Sequence, residues 1–435
     1  FSDKMEMSPR LAESYKVADD NVTYTIYLRK GVKFHNGDTF KASDVIFSLD
    51  HAIANPKVDN YCNSIKSYRA IDDYTIEIVS SAPNALFVWN LGYIEILNEK
   101  SVTEAGDKAF LSPETCIGTG PYYFTETSFE KLYALKAFPE YYRGEASIKE
   151  INYKVIADPS TALVAFESGE VDFITVPPAN IKQLEDSNKH TMYMTPTAHC
   201  SYFIININKE PYNNKLIRQA MFYAINKEDV LLGAYDGYGE VAQNWAREGY
   251  IAHATNEGVN PYDYNPEKAK QLLAEAGYPN GIELGTIYAW SGNYFAKAAQ
   301  IIQQNFADVG IKVSVTAVDQ PALEDHIFWS KTFDMACYGT NVVGDSDFGF
   351  SNYFSDTAAT AQPNLNPKLY ELGYLGRSTL DPKERDKIYQ EFWALVQDEA
   401  TMLNMFHRYN VYASNPNLAA VVDVYFYNIY DWTWK

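Results

Sequence analysis

Apolar and polar positions along this chain change their period from stretch to stretch, and each change predicts an element. Val22, Tyr24, Ile26 and Leu28 alternate with Thr23, Thr25, Tyr27 and Arg29, which predicts a half-buried strand entered through an Asp-Asp-Asn turn and left through Asn36-Gly37. Tyr74, Ile76 and Ile78 repeat the theme after Asp72-Asp73. Between them, Ser43 is expected to cap a helix that turns Ile46, Leu49 and Ile53 inward. The run from Gly118 to Phe124 reads as a tight turn feeding a strand, because no Gly-Lys-Ser/Thr follows its glycines and Pro121 blocks a helix interior. Strands follow around Leu132 to Ala137 and Ile151 to Ile156, then a helix opened by Pro159, with Leu163 and Phe166 on its apolar side and Gly169 ending it.

The sharpest change of period lies near Asn208. Tyr202 and Ile204 face one way and Phe203, Ile205 and Ile207 the other, as on a strand; after a Pro-Tyr-Asn-Asn turn, Ile217, Ala220, Met221, Ala224 and Ile225 fall on one stripe of a helix. The chain is expected to change domain here. Beyond it, Asn265 caps a helix with Pro266 in its first position, Ala269, Leu272, Leu273 and Ala276 buried, and Gly277 past its end. Strands at Leu284 to Tyr288, Ile311 to Val318 and Phe333 to Tyr338, with a helix around Ala296 to Val309, make the alternation of an α/β lobe. Asp381-Pro-Lys-Glu384 is a capping box for a helix with Ile388, Phe392, Leu395 and Val396 inward; the chain returns through Leu403 to Tyr412 and ends in an aromatic tail from Tyr425 to Trp434.

Composition narrows the function classes. Lys plus Arg number 36 and Asp plus Glu 56, a net charge of −20, so a nucleic-acid backbone or an anionic membrane surface is repelled and nucleic acid is not an expected partner. Four cysteines without Cys-x-x-Cys spacing are read as buried free thiols, and the seven histidines lack metal-ligand spacing, so no cofactor and no metal is expected. No apolar run approaches the ~20 residues of a membrane span. Hydrolase, zinc-protease, nucleotide and dinucleotide motifs are missing, and the one conspicuous acidic pair, Asp345 and Asp347, shows no partner base, so catalysis is not expected. Thirty-five tyrosines and seven tryptophans favour amphipathic pockets instead. Ligands of open α/β lobes sit at the carboxyl ends of strands, which selects Tyr288 and Trp290 after one strand, and Tyr338, Gly339, Thr340 and Asn341 with Asp345 and Asp347 after another. Tyr202 on the run entering the crossover and His407 with Arg408 on the return strand complete the positional candidates.

Several stretches resemble one family: Leu-Ala-Glu-Ser from Leu11 through Leu28-Arg-Lys-Gly-Val-Lys-Phe-His35, Gly118-Thr-Gly-Pro-Tyr122, Ser168-Gly-Glu-Val-Asp172 and Arg218-Gln-Ala-Met with Ala224-Ile-Asn226 are similar to the motifs of solute-binding proteins that feed ABC importers of peptides, nickel and some sugars. The resemblance implies a two-lobed α/β fold of the periplasmic-binding-protein type with a ligand cleft between lobes. Its first lobe would be residues 1–205 plus 406–435, including a β-rich subdomain over roughly 30–150, and its second 206–405. It implies closure around a small solute, an oligopeptide being favoured, a membrane permease as partner, a monomer, and a place outside the cytoplasmic membrane, in a periplasm or on a lipid anchor. It also puts Trp245 in the segment that faces the cleft. Family members carry a further segment before Leu-Ala-Glu-Ser, where here only Phe1 to Arg10 stands, so either the chain is truncated or those residues lie outside the numbered sequence. Peptide-binding members place an Asp for the ligand's amino group where Val342 or Val343 falls here, and dipeptide binders an Arg near Ala289 and Trp290; with neither, a free dipeptide is disfavoured unless Asp345 or Asp347 substitutes. An oligosaccharide, a nickel chelate, or a secreted hydrolase working in the same cleft are the alternatives, as is a sensor serving a membrane receptor.

Overall fold

The residues from Thr191 to Ile205 form one strand of fifteen residues, and those from Met402 to Ser414 run back beside it, antiparallel, so the two passes of the chain are hydrogen-bonded neighbours. The structure, a computed structural model, describes residues 7–55, 58–247, 262–342, 345–355, 366–422 and 428–435. Labelled in chain order, the strands of the main sheet are β1 (Phe173–Thr175), β2 (Thr191–Ile205), β3 (Gly239–Val241), β4 (Ile282–Trp290), β5 (Ile311–Val318), β6 (Met335–Asn341) and β7 (Met402–Ser414). Their order is β3-β7-β2-β6-β4-β5, with β1 on the far end of β7. The pairings β6-β4 and β4-β5 are parallel and the rest antiparallel.

Both faces of this sheet are covered, which is why β2 is buried without a break from Thr197 to Ile205 rather than on alternate residues. On one face, Phe203, Ile205, Ile287, Met335 and Leu403 pack against helices α1 (Lys215–Ala224), α2 (Lys227–Tyr235) and α3 (Phe295–Asp308). The stripe expected from Ile217, Ala220, Met221 and Ala224 is buried there, capped by Asn214 Oδ1 on the Leu216 amide. On the other face, Cys200, Tyr202, Ile204 and Ala336 meet Trp245 and, from helix α4 (Pro382–Glu399), Phe392 and Trp393. At the far end of the β2-β7 pair, Val411 and Ala413 join Leu163, Phe166, Ile174 and Leu184 in a separate core. Each fully buried aliphatic or aromatic side chain contributes roughly 1.5 to 3 kcal/mol.

Arg218, from the motif that opens α1, ties the two passes together. Its guanidinium donates to the Tyr212 and Asn213 carbonyls in the turn after β2 and to the Glu399 carbonyl just before β7, at 2.7 to 3.0 Å. A buried cation needs such saturation, and the fork geometry of arginine supplies it.

Two smaller antiparallel sheets precede the main one, four strands within Ala12–Ser80 and three within Tyr122–Lys154. Tyr24, Ile26 and Leu28 are buried in the first, as the alternation requires. His35 joins the Gly118 turn to this region: its Nδ1 accepts from the Gly118 amide at 3.2 Å and its Nε2 donates to the Gly120 carbonyl at 3.0 Å. One expectation fails here. The helix starts at Ala42 rather than after Ser43, and it buries Val45, Leu49 and Ala52 while Ile53 is exposed. Asp44 and Ser48 turn inward because they accept hydrogen bonds from the amides of Glu99 and Leu97, so polar partners override the apolar stripe. None of the four cysteines is in a disulfide; three are buried and Cys116 is partly exposed. Among the described residues no helix is long and apolar enough to cross a membrane.

Candidate ligand-binding site

Three parallel strand ends converge on one cavity. β4 delivers Trp290, the turn after β5 delivers Gln320, and β6 delivers Tyr338 and Gly339. Asn293, Tyr294 and Phe295 come from the start of α3, Tyr235 from the end of α2, and His199 and Arg408 from the middle of β2 and β7. The space measures about 290 Å³. Its place follows the general rule that the carboxyl ends of parallel strands, where chain turns into helix, leave room for a ligand.

A local irregularity aims two of these side chains. The β2-β7 ladder loses its register between His407 and Tyr409, opposite Pro196, whose ring nitrogen carries no proton for the ladder. Thr197 Oγ1 donates to the Arg408 carbonyl at 2.7 Å in place of the missing backbone bond. Arg408 and His199 leave the strands at this bulge, both bordering the cavity. Gly339 is the matching provision on β6: a Cβ there would stand 2.4 Å from His199 Cε1 and 2.8 Å from Phe295 Cζ. Only a glycine lets the imidazole lie flat against that strand.

The walls are mostly aromatic. Tyr294 is in ring contact with Phe295, Tyr235 and Phe406 at 4.3, 4.9 and 5.8 Å, and Phe295 stacks on Tyr338 at 6.3 Å. Tyr294 Oη shares a hydrogen bond of 3.0 Å with Ser201 Oγ. Tyr338 Oη donates to Glu324 Oε1 at 2.8 Å, and burial together with this carboxylate raises the phenol far above its ordinary pKa. Burial first, then the Arg408 and His407 charges, push His199 well below the usual imidazole range, so it is neutral at pH 7. Among the described residues no Asp or Glu lines the cavity, and none of them forms a His, Cys, Asp or Glu group suited to a metal.

Of the residues selected from the sequence, Trp290, Tyr338, Gly339 and Arg408 are brought together here. The others are not. Trp245 and Tyr202 are wholly buried in the core on the opposite face, Trp245 stacked on Trp393 at 5.7 Å and Tyr202 Oη donating to Tyr353 Oη at 2.7 Å. A ring so enclosed supports the sheet instead of meeting a solute. Asp345 is paired with Arg385, and Asp347 with Arg377 and the Tyr389 hydroxyl, so neither carboxylate is available to a ligand's amino group. Tyr288 lies against His326 at 4.5 Å, turned away from Ile287 and Ala289 by the strand alternation. Thr340 and Asn341 continue β6 past the cavity, and Asn341 is exposed. His407 points to a different hollow, shared with Glu240, Asn244 and Arg247. Val342 is buried, and Val343 lies outside the described residues.

Tyr294, Phe295, His199, Tyr235, Asn293 and Gln320 were not selected from sequence. Tyr294-Phe295 does carry a signal, since it opens the helix that follows β4, and strand-to-helix turns are where such sites form.

The model of the bacterial extracellular solute-binding proteins, family 5, matches residues 6–361. The chain belongs to that family. Family 5 proteins are the substrate-binding components of ABC importers, and the resemblance read from the sequence motifs holds over most of the chain. A glutathione-binding protein of Pectobacterium atrosepticum is 31% identical over 415 residues, covering 90% of this chain and 78% of its own length. Among solved structures, DppA of Helicobacter pylori, described as an ABC transporter-associated periplasmic binding protein in complex with the peptide STSA, superposes with a TM-score of 0.81 at 25% identity, over 98% of this chain and 88% of its own. CtaP of Listeria monocytogenes, an ABC transporter substrate-binding protein, gives a TM-score of 0.88 at 24% identity, over 99% and 91%. The fold is therefore the two-lobed α/β fold of the periplasmic binding proteins.

Proposed function

We propose that this family 5 protein captures a short peptide-like solute outside the cytoplasmic membrane, in a periplasm or on a lipid anchor, and hands it unaltered to an ABC permease. Residues 1–205 with 406–435 form one lobe in this reading and 206–405 the other; the protein acts as a monomer, with no nucleic acid and no cofactor. The observation that carries the reading is the aromatic-walled cavity at the ends of β4, β5 and β6, bounded by Trp290, Tyr294 and Tyr338. Flat amphipathic rings offer large contact area at low entropy cost and suit peptide planes and side chains alike. The volume, about 290 Å³, stands at the small end of ligand pockets and suits a short solute, and with Asp345 and Asp347 both paired internally a solute of about three residues is favoured over a free dipeptide. The glutathione named for the Pectobacterium relative and the peptide named for the Helicobacter one support the same ligand class.

The reading is tested by calorimetric titration with di-, tri- and pentapeptides and glutathione, followed by mass spectrometry of the ligand recovered from the complex. Stoichiometric binding with intact recovery is expected. A peptide returned cleaved would make the protein a hydrolase, and a panel without a single binder would remove the peptide class.

A further inference from the structure

The cavity carries one charge to which the described residues bring no counter-charge. Arg408 Nη1 donates to Asn410 Oδ1 at 2.9 Å, but its Nε is buried with no hydrogen-bond partner, and among the described residues no carboxylate lies within ion-pair distance of the guanidinium. The groups around it are phenols, those of Tyr294, Tyr235 and Tyr412, and the Tyr235 hydroxyl oxygen accepts a hydrogen bond from the guanidinium. His199 is neutral and brings no negative charge. The acids that stand nearby are already engaged. Glu240 takes Arg247 in a two-pronged pair at 2.9 and 3.0 Å, and Glu324, behind the Tyr338 wall, accepts from Tyr338 Oη and Gln320 Nε2 at 2.8 Å each.

Compare three other arginines, Arg218 and Arg385 buried and Arg377 30% exposed. Arg218 is saturated by backbone carbonyls, and Arg385 and Arg377 by Asp345 and Asp347. Taking a guanidinium out of water without a counter-charge is costly, and this chain meets that cost internally at each of those three positions. At Arg408, which opens onto the cavity, it does not. A planar fork of donors with an unused edge matches a carboxylate in both shape and charge.

We infer that Arg408 is the anchor for a carboxylate of the bound solute, so the cavity selects ligands by a free acid group and admits that group first. This rests on the peptide-like reading of the site and deepens it. The α-carboxylate of a peptide and a side-chain carboxylate present the same chemistry to the guanidinium. The test separates them.

Three versions of one short peptide are titrated: the free acid, its C-terminal amide, and the amide carrying a glutamate side chain. Each is measured against the wild type, Arg408→Gln and Arg408→Lys. The wild type should bind the free acid at least tenfold more tightly than the plain amide, and Arg408→Gln should bind acid and amide alike. Arg408→Lys, which keeps the charge and loses the fork, should fall between them and guards against misfolding of the glutamine variant. Recovery of affinity by the glutamate-bearing amide would keep the anchor and assign it to side-chain acids. Equal binding of acid and amide by the wild type, or discrimination that survives in Arg408→Gln, overturns the inference while leaving peptide capture intact. Should no peptide bind at all, peptide capture fails and benzoate decides the anchor: a rise in melting temperature of the wild type but not of Arg408→Gln retains it, and no rise in either ends it.

Discussion

Arg385 holds Asp345 through both of its terminal nitrogens, with the two side chains only 4% and 2% exposed. Asp345 Oδ1 also accepts from the Asp347 amide at 2.7 Å and so starts the short helix Ser346–Gly349. Burial pushes the Asp345 carboxyl up while Arg385 pulls it down, and the two-pronged contact decides in favour of the ion pair. Removing one member strands the other. Asp345→Asn should therefore cost about 3 to 5 kcal/mol of stability, whereas the double change to Leu and Met should cost less than either single change. Denaturant midpoints check this; a loss of ligand affinity in Asp345→Asn with stability preserved would return this carboxylate to the binding site.

Two tryptophans should part company under the same substitution. Trp290→Ala opens a cavity wall and is expected to weaken ligand binding by roughly 1 to 3 kcal/mol with little change in melting temperature. Trp245→Ala leaves a void against Trp393, Tyr202 and Tyr353, and should destabilise the fold by about 3 to 5 kcal/mol. Parallel calorimetry and thermal melts on the pair settle it.

Gly339→Ala places a methyl where His199 and Phe295 now meet. Crowding of this kind costs about 1 to 3 kcal/mol, and here the strain falls on the cavity lining, so affinity should drop together with stability. Gly169→Ala, at φ +78° in a helix-ending turn away from the site, should lower stability through backbone strain and leave affinity unchanged, which separates a general loss of stability from one felt at the cavity.

Acid should destabilise the protein through its imidazoles. Burial lowers the pKa of His35 and pushes that of His199 well down. A depressed folded-state pKa means that the unfolded chain binds the extra proton, so the stability is complete above the ordinary value of about 6.5 and is lost as pH falls below it. For His35 the geometry agrees, since protonated Nδ1 could no longer accept from the Gly118 amide. Each group adds up to about 1.4 kcal/mol per pH unit within its window. Urea melts between pH 7 and 5 should show this slope, and His35→Gln should lower it; an unchanged slope would mean that His35 titrates normally.

How much of this was legible in the chain depends on how far apart the partners stand. The helix from Lys215 to Ala224 was readable because its stripe is local, and the strand alternation at Tyr24, Ile26 and Leu28 likewise. Trp290, Tyr338 and Gly339 could be selected because strand ends are local features with a general consequence for ligands. The fates of Asp345 and Trp245 could not be read, since their partners Arg385 and Trp393 follow 40 and 148 residues later and nothing in a short window announces them. Asp44 and Ser48 misled for the same reason, their acceptor roles being fixed by amides at 97 and 99.

The bulge opposite Pro196 carries a mechanical consequence. Two long strands locked side by side resist sliding, so whatever rides on their opposite ends can change its attitude only by torsion or flexure of a narrow ribbon, and such a ribbon yields first where its rungs are interrupted. The ladder is interrupted twice, between Asn404 and Phe406 and between His407 and Tyr409, and the second interruption coincides with Arg408. A solute anchored by Arg408, as proposed, would lie beside that interruption of the two-strand ribbon.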